Sequence, residues 1–298
     1  MPEASNTLVV GAAGRFAGLV VPELAKRGVH PRGLVRTPEQ AETARGNGAG
    51  EVVFGDLRDR ASVEAALKSV ERAFYISPVF QEDEAEMGVG FVEAAKQAGV
   101  RRIVFSTIIH PSLDLRNHAS KRPIEDALFK SGLDYTLLRP SVLYQNLAAG
   151  WPAVVKTGVL AEPFSATARI ARVDYRDIAE VAAIALTEDL LVNGAYELSA
   201  DGGKNRGEVA AIASEVSGRE IKAAAPVFEE WAAKAQLPYD DAQKQQLAAM
   251  YANYDKHGLL GNPFTLRSIL GREPRAMHAF FADLVAGTPT TIAQARHR

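Results

Sequence analysis

Glycines stand at positions 11, 14 and 18 in the run LVVGAAGRFAGLVVPEL, where a β-type run, Thr7–Val10, gives way to apolar residues at helical spacing. Gly11 permits a tight turn out of a strand, and Gly14 removes the Cβ that would keep a phosphate away from the backbone. A small residue at 17 or 18 lets the next helix pack against a sheet. The N–H groups and positive dipole end of that helix then suit the pyrophosphate of a dinucleotide. A lone glycine pattern is weak evidence, but this one lies between a strand and a helix at the start of a βαβ unit. On that reading Gly11, Ala13, Gly14, Arg15 and Phe16 cradle the phosphates. The plain alternative is a tight turn that binds nothing.

The residues after the following strands say which dinucleotide. A site for NAD usually places Asp or Glu at the end of the second strand, where it accepts from the ribose hydroxyls. Here that strand ends Leu34-Val35-Arg36-Thr37, with no carboxylate. A guanidinium suits a 2′-phosphate, so Arg36 favours NADP, with Arg15 as a second clamp. Asp56-Leu57, after the third strand, reads either as an adenine contact or as an ordinary turn. Ser77-Pro78, Ser106-Thr107 and Pro140-Ser141 follow the fourth, fifth and sixth strands, where ligands of such sheets lie. Phe80, Tyr144, Trp151 and Phe164 are candidates for an apolar substrate wall, although aromatics more often belong to a core.

The elements that must hold these residues alternate along the first 140 positions. Gly33–Val35, Val52–Phe54, Ala73–Ile76, Arg102–Ser106 and Tyr135–Leu138 read as strands. Helical spacing runs from Phe16 to Gly28, after Ser62 as a cap, over Glu82–Ala98 and over Lys121–Lys130. The strands are short and apolar throughout, as strands buried on both faces are. The fold class is therefore α/β, a doubly wound parallel Rossmann sheet with a smaller, mostly helical C-terminal lobe. Later in the chain, Gly150-Trp151-Pro152 and Ala161-Glu162-Pro163 look like loops, Asp177–Leu186 like a helix and Tyr196–Leu198 like a strand. Residues 1–150 are expected to form the dinucleotide-binding domain, with 172–190 packing back on it. Residues 151–298 are expected to form the smaller substrate or partner lobe.

Composition narrows the chemistry. Lys plus Arg is 34 against 36 Asp plus Glu, a formal charge of −2, which gives no basic footprint for nucleic acid. Zero cysteines exclude disulfides, thiolate metal sites and cysteine nucleophiles, and fit a cytoplasmic protein. The opening residues lack a basic targeting segment, and no apolar run is long enough to span a membrane. The histidines are scattered, with no HExxH, Walker A loop or G-x-S-x-G elbow, so no metal site is expected.

Taken in order, VVGAAGRFAG at 9–18, GLVRTPEQ at 33–40, VVFGDLRDRASVEAAL at 52–67, AAKQAGVRRIVFSTI at 94–108 and HASKRPIEDALFKSGLDYTLLRPSVLYQN at 118–146 resemble the NmrA-like branch of the short-chain dehydrogenase/reductase superfamily. GLLGNPFTLRSILGREPRAMHAFFADL at 258–284 extends the resemblance through the C-terminal region. It implies a Rossmann domain, a smaller C-terminal domain and NADP(H) between them. Ala17 stands where the family usually has its third glycine. The superfamily's Tyr-x-x-x-Lys unit is missing: the tyrosines are at 75, 135, 144, 175, 196, 239, 251 and 254, and none has a lysine four residues later. The corresponding segment reads Asn117-His118-Ala119-Ser120-Lys121, which keeps the lysine alone.

Lys121 then reads as a nicotinamide-ribose contact that lends positive potential near the ring, or as a surface lysine at a helix start. His118 reads as a proton donor or as a hydrogen-bonded loop residue. Two functions remain open. One is an NADPH-dependent reductase passing hydride to an electron-poor small molecule, such as a quinone or a conjugated carbon. The other is a non-catalytic NADP(H) sensor acting through a regulatory protein partner. Neither requires nucleic acid or a membrane, and both leave room for a homodimer. Arg36→Ala should weaken NADP binding by about 1.5–3 kcal/mol while sparing NAD. Titrating both dinucleotides checks this, and an equal loss for the two would remove Arg36 from the 2′-phosphate site.

Overall fold

The computed structural model describes residues 6–291; the first five residues, part of the stretch read for targeting, lie outside the described residues. The first half runs β1 (Thr7–Val10), α1 (Ala17–Ala25), β2 (Arg32–Val35), α2 (Pro38–Gly46), β3 (Glu51–Phe54), α3 (Arg60–Leu67), β4 (Arg72–Ile76), α4 (Glu84–Gln97), β5 (Arg102–Ser106), α5 (Arg116–Ala119), α6 (Arg122–Ser131) and β6 (Asp134–Pro140). The second half runs β7 (Val142–Leu143), α7 (Gln145–Thr157), β8 (Val159–Ala161), β9 (Arg172–Val173), α8 (Tyr175–Thr187), β10 (Gly194–Leu198), α9 (Arg206–Ser217), β11 (Lys222–Ala224), α10 (Phe228–Ala235), α11 (Asp241–His257), α12 (Phe264–Leu270) and α13 (Met277–Ala286).

Seven strands form one parallel sheet in the order β10-β6-β5-β4-β1-β2-β3. Alternate residues leave opposite faces, and both faces are apolar. Val9, Phe74, Val104 and Leu138 meet α1 and α8. Leu8, Val10, Ala73, Tyr75, Ile103, Phe105 and Leu137 meet α3, α4 and α6. Burial on both sides explains why these strands show no polar alternation. At the lower ends of the strands, two arginines close helix C-termini. Arg32 donates to the carbonyls of Ala66 and Lys68 at 2.9 and 2.8 Å, and Arg102 to those of Ala185 and Glu188 at 3.0 and 2.6 Å. Both contacts set a cation against the negative end of a helix dipole.

The second lobe has its own apolar core, in which Tyr144, Trp151 and Val154 of α7 and its approach pack on Phe280 and Phe281 of α13 and on Val209 and Ala213 of α9. Charge clips this lobe to α8. Buried Asp174 caps α8 through the Arg176 N–H at 2.9 Å and also accepts from Gln145 Nε2 at 2.7 Å. Buried Asp177 accepts from the Arg275 N–H at 2.7 Å and from Arg272 Nη2 at 2.9 Å.

Three local readings need correction. Gly150-Trp151-Pro152 is helix, because the packing of Trp151 on Phe281, with ring centroids 5.4 Å apart, outweighs the weak propensities of its neighbours. Helix α2 has no apolar stripe, since its buried residues are only Ala41 and Ala44, and its one signal in the sequence is the Thr37 cap followed by Pro38. The cap of α3 is Asp59, whose carboxylate accepts from the Ala61 N–H at 3.1 Å. Ser62 instead bridges the turn, accepting from the Asp56 N–H at 3.0 Å and donating to the Asp59 carbonyl at 2.8 Å.

Helices α4 and α6 cross at Gly88. A Cβ built there would lie 2.2 Å from Ile124 Cδ1 and 2.5 Å from its Cγ1, so only glycine admits this approach. Gly88→Ala should destabilise the fold by about 1–3 kcal/mol through overpacking. Adding Ile124→Ala should cost less than the two single effects summed, measured by urea denaturation in a double-mutant cycle.

Candidate functional site

The sheet order reverses direction between β1 and β4, so the chain leaves these neighbouring strands toward opposite sides. A crevice opens above their carboxyl ends, which is where open α/β sheets bind ligands. The glycine loop lies at this point. Gly11 has φ +70°, a left-handed conformation that side chains resist, and its N–H donates to the Leu34 carbonyl at 3.1 Å. The Gly14 N–H donates to the Gly11 carbonyl at 2.7 Å, and a Cβ at Gly14 would sit 2.9 Å from that same oxygen. Gly14 is therefore required by the loop's own closure, before any ligand is considered. Helix α1 begins without a side-chain cap. Among the described residues, the backbone N–H groups of Ala13, Arg15 and Phe16 have no protein acceptor in the turn. An uncapped helix start with open N–H groups fits the phosphates of a dinucleotide.

The other predicted residues divide by location. Arg36 is exposed at the end of β2, and its backbone N–H donates to Gln40 Oε1 at 2.8 Å. Asp56 closes a turn by accepting from the Arg58 N–H at 2.9 Å, and Leu57 packs against the sheet core. Ser77, Ser106, Thr107, Pro140 and Ser141 are buried along the carboxyl edge, with Pro78 half-buried beside them. Ser106 accepts from the Tyr175 hydroxyl at 3.0 Å, and Ser141 donates to Ser199 Oγ at 3.3 Å. Thr107 donates to Glu125 at 2.9 Å, and Arg139 grips the same carboxylate at 2.5 and 3.2 Å. That pair ties the start of α6 to the ends of β5 and β6.

Of the aromatic candidates, Tyr144 and Trp151 are core residues of the second lobe rather than cleft walls. Phe164 is stacked on Tyr251 at 5.5 Å and covered by the Arg206 guanidinium at 4.3 Å. Phe80 alone of the four sits at the crevice, with φ +65° and its ring edge-on to Tyr239.

Lys121 is not a surface lysine. It is 5% exposed, and its ammonium contacts the carboxylate of Glu84, itself 1% exposed. The crossing at Gly88 explains the meeting. Glu84 lies one turn before Gly88 on α4, and Lys121 lies one turn before Ile124 at the start of α6. Burial drives the Lys121 pKa down, to about 7. With or without its proton, Lys121 facing the Glu84 carboxylate leaves the pair no net positive charge, so the positive field expected from Lys121 is cancelled. Sequence reasoning missed Glu84, because nothing local marks a contact 37 positions away.

His118 is fully buried, and its Nδ1 lies 3.1 Å from the His110 carbonyl. A carbonyl can only accept, so Nδ1 carries the hydrogen. Burial pushes the pKa below the ordinary histidine value, which leaves Nε2 unprotonated near neutrality. Asn117, standing where the superfamily has its tyrosine, is buried and donates to Met250 Sδ of α11 at 3.4 Å.

Removing one partner of the buried pair gives a signed pH test. In Glu84→Gln the Lys121 ammonium loses its counter-charge, at a cost of about 3–5 kcal/mol near pH 7. Between the depressed folded pKa and the unfolded value of about 10.4, the unfolded chain binds more protons. The variant should therefore gain stability as pH rises from 7 toward 10, and adding Lys121→Met should flatten that slope. Urea midpoints across pH check this, and a flat profile in Glu84→Gln would contradict the burial of the charge.

The NmrA-like family profile matches residues 3–284. An NAD(P)H azoreductase of Xenophilus azovorans is 29% identical over 276 residues, covering 92% of this chain and 96% of that protein. The solved NADPH complex of an Escherichia coli quinone oxidoreductase superposes with a TM-score of 0.82 at 26% identity, covering 93% of this chain and 99% of that one. NmrA, a negative transcriptional regulator, shares the fold alone, with a TM-score of 0.77 at 16% identity over 95% of this chain and 96% of that one. A profile match over nearly the whole length, on a parallel sheet with a glycine loop at its switch point, makes this chain a member of the NmrA-like family.

Proposed function

We propose that this protein is an NADPH-dependent reductase that delivers hydride to an electron-poor small molecule such as a quinone or a conjugated carbon. The observation that carries the reading is the glycine loop, with its uncapped helix start at the switch point and Arg36 exposed at the end of the next strand. The relatives named above as an azoreductase and a quinone oxidoreductase support a reductase over a sensor. When bound, NADPH supplies a hydride from its nicotinamide ring. The N–H groups of Ala13, Arg15 and Phe16 hold the diphosphate, and Arg36 pairs with the 2′-phosphate. Ser77, Pro78, Ser106, Thr107, Pro140 and Ser141 lie along the edge where the nicotinamide half rests.

The chain's contribution to rate is proximity and orientation rather than proton transfer. The two groups nearest in type to a proton donor are both committed. The Tyr175 hydroxyl donates to Ser106 and burial pushes its pKa far up, while His118 presents a bare nitrogen. An acceptor that delocalises the incoming charge tolerates this and takes its proton from water. Lys121, paired with Glu84, acts by fixing the start of α6 against α4 beside the crevice.

Oxidation of NADPH followed at 340 nm across quinones, enones and aldehydes tests the proposal. Quinones or conjugated acceptors should turn over in preference to simple aldehydes. Tight NADP binding with no acceptor consumed would instead support a sensor. His118→Gln should keep turnover within about tenfold of the parent, short of the 10²–10⁴-fold loss of a general acid, with no pH limb near 6–7.

A further inference from the structure

One residue of the C-terminal lobe reaches the crevice from above. Tyr239 lies in the short segment between α10 and α11, which is fixed at both ends. Gln236 stops α10 in a left-handed conformation at φ +47°. Asp240 starts α11 through a complete capping box with Gln243, its carboxylate accepting from the Gln243 N–H at 2.8 Å. Pro238 stiffens the few residues between them. The half-buried Tyr239 ring is thus delivered to one place rather than left to wander.

That place lies between the two halves of the crevice. The ring meets Phe80 edge-to-face, centroids 5.5 Å apart at 79°. Phe80 follows β4, the first strand of the half that faces a nicotinamide in doubly wound dinucleotide folds. The Tyr239 hydroxyl also interacts electrostatically with Arg15 of the glycine loop, whose guanidinium stands 5.2 Å over the Phe16 ring. Phe80 itself is only 6% exposed whereas Tyr239 is half-buried, so of this pair it is Tyr239 that holds accessible aromatic surface.

We infer that Tyr239 is the acceptor-contacting residue of the C-terminal lobe, presenting its ring to flat aromatic substrates while Phe80 holds that ring in plane. The inference rests on the reductase reading for the word acceptor, but not for the aromatic site itself. Aromatic faces favour offset or edge contacts with other rings, so such a wall selects flat unsaturated molecules over saturated ones of equal size.

The test uses 2-naphthol, a flat ring system that takes no hydride, and decahydro-2-naphthol, its saturated counterpart. Each is titrated calorimetrically into the NADP⁺-loaded protein. Naphthol should bind more tightly than its saturated counterpart. Tyr239→Leu should weaken naphthol about fivefold, Tyr239→Phe should retain it, and NADP⁺ affinity should stay within about twofold in both. Phe80→Leu gives a second route to the same loss should Tyr239→Leu fold poorly. With a quinone as acceptor, Tyr239→Leu should raise KM more than it lowers kcat. The inference is overturned if naphthol fails to bind the parent protein, or if Tyr239→Leu binds it as the parent does. It is equally overturned if NADP⁺ weakens as much as naphthol, which would make Tyr239 a cover for the cofactor. If no acceptor consumes NADPH while naphthol binding still depends on Tyr239, the reductase reading fails and the aromatic site stands.

Discussion

The reversal of strand order between β1 and β4 is the constraint on which the rest of this molecule depends. Two neighbouring parallel strands whose chains depart toward opposite sides cannot both cover the space above them. That space becomes the crevice, and its floor is the glycine loop, bent by the left-handed Gly11 and closed by Gly14 onto the Gly11 carbonyl. Everything that borders it is placed by packing some distance away. The crossing at Gly88 sets α4 against α6, and the Glu125–Arg139 pair sets α6 against the sheet edge. The ion clusters of Asp174 and Asp177 set the second lobe over the top.

The handling of charge near the crevice follows from its burial. A lone lysine beside a bound dinucleotide would lend a positive field, but Lys121 is too deeply buried to stand uncompensated. Glu84 meets it, and the two together act as a structural unit. The same logic silences His118, whose only donor nitrogen is engaged by a carbonyl. Arg36 is exposed at the end of β2, on the side of β1 away from β4. On the reading proposed above, Arg36 would meet the 2′-phosphate by which NADPH differs from NADH, while Ser77, Ser106, Thr107 and Ser141 would border the nicotinamide half.

Most of the sheet was legible in the chain, because β1 to β6 each carry a short run of apolar residues and alternate with segments of helical spacing. Misreadings arose where local signals and packing disagree. Gly150 and Pro152 read as breakers, yet α7 runs through them because Trp151 is buried on Phe281. The glycine loop was legible because its requirements are local, a turn and a helix start within a few residues. Glu84 and Tyr239 were not, since each acquires its place through a partner 37 or 159 positions away, and no spacing rule encodes such a meeting. Tyr144 and Trp151 failed as cleft residues for the same reason: an aromatic side chain does not announce which lobe's core it will enter.

The central claim is that hydride passes from a cofactor held at the glycine loop to an acceptor beneath the C-terminal lobe. It is tested most directly by a single turnover with NADPH deuterated at the transferring position of the nicotinamide. Protein loaded with one equivalent is mixed with a quinone, and the decay at 340 nm is followed. The account predicts rapid decay that slows severalfold when the transferring hydrogen is replaced by deuterium. A cofactor that stays bound and reduced in the presence of every acceptor would contradict it.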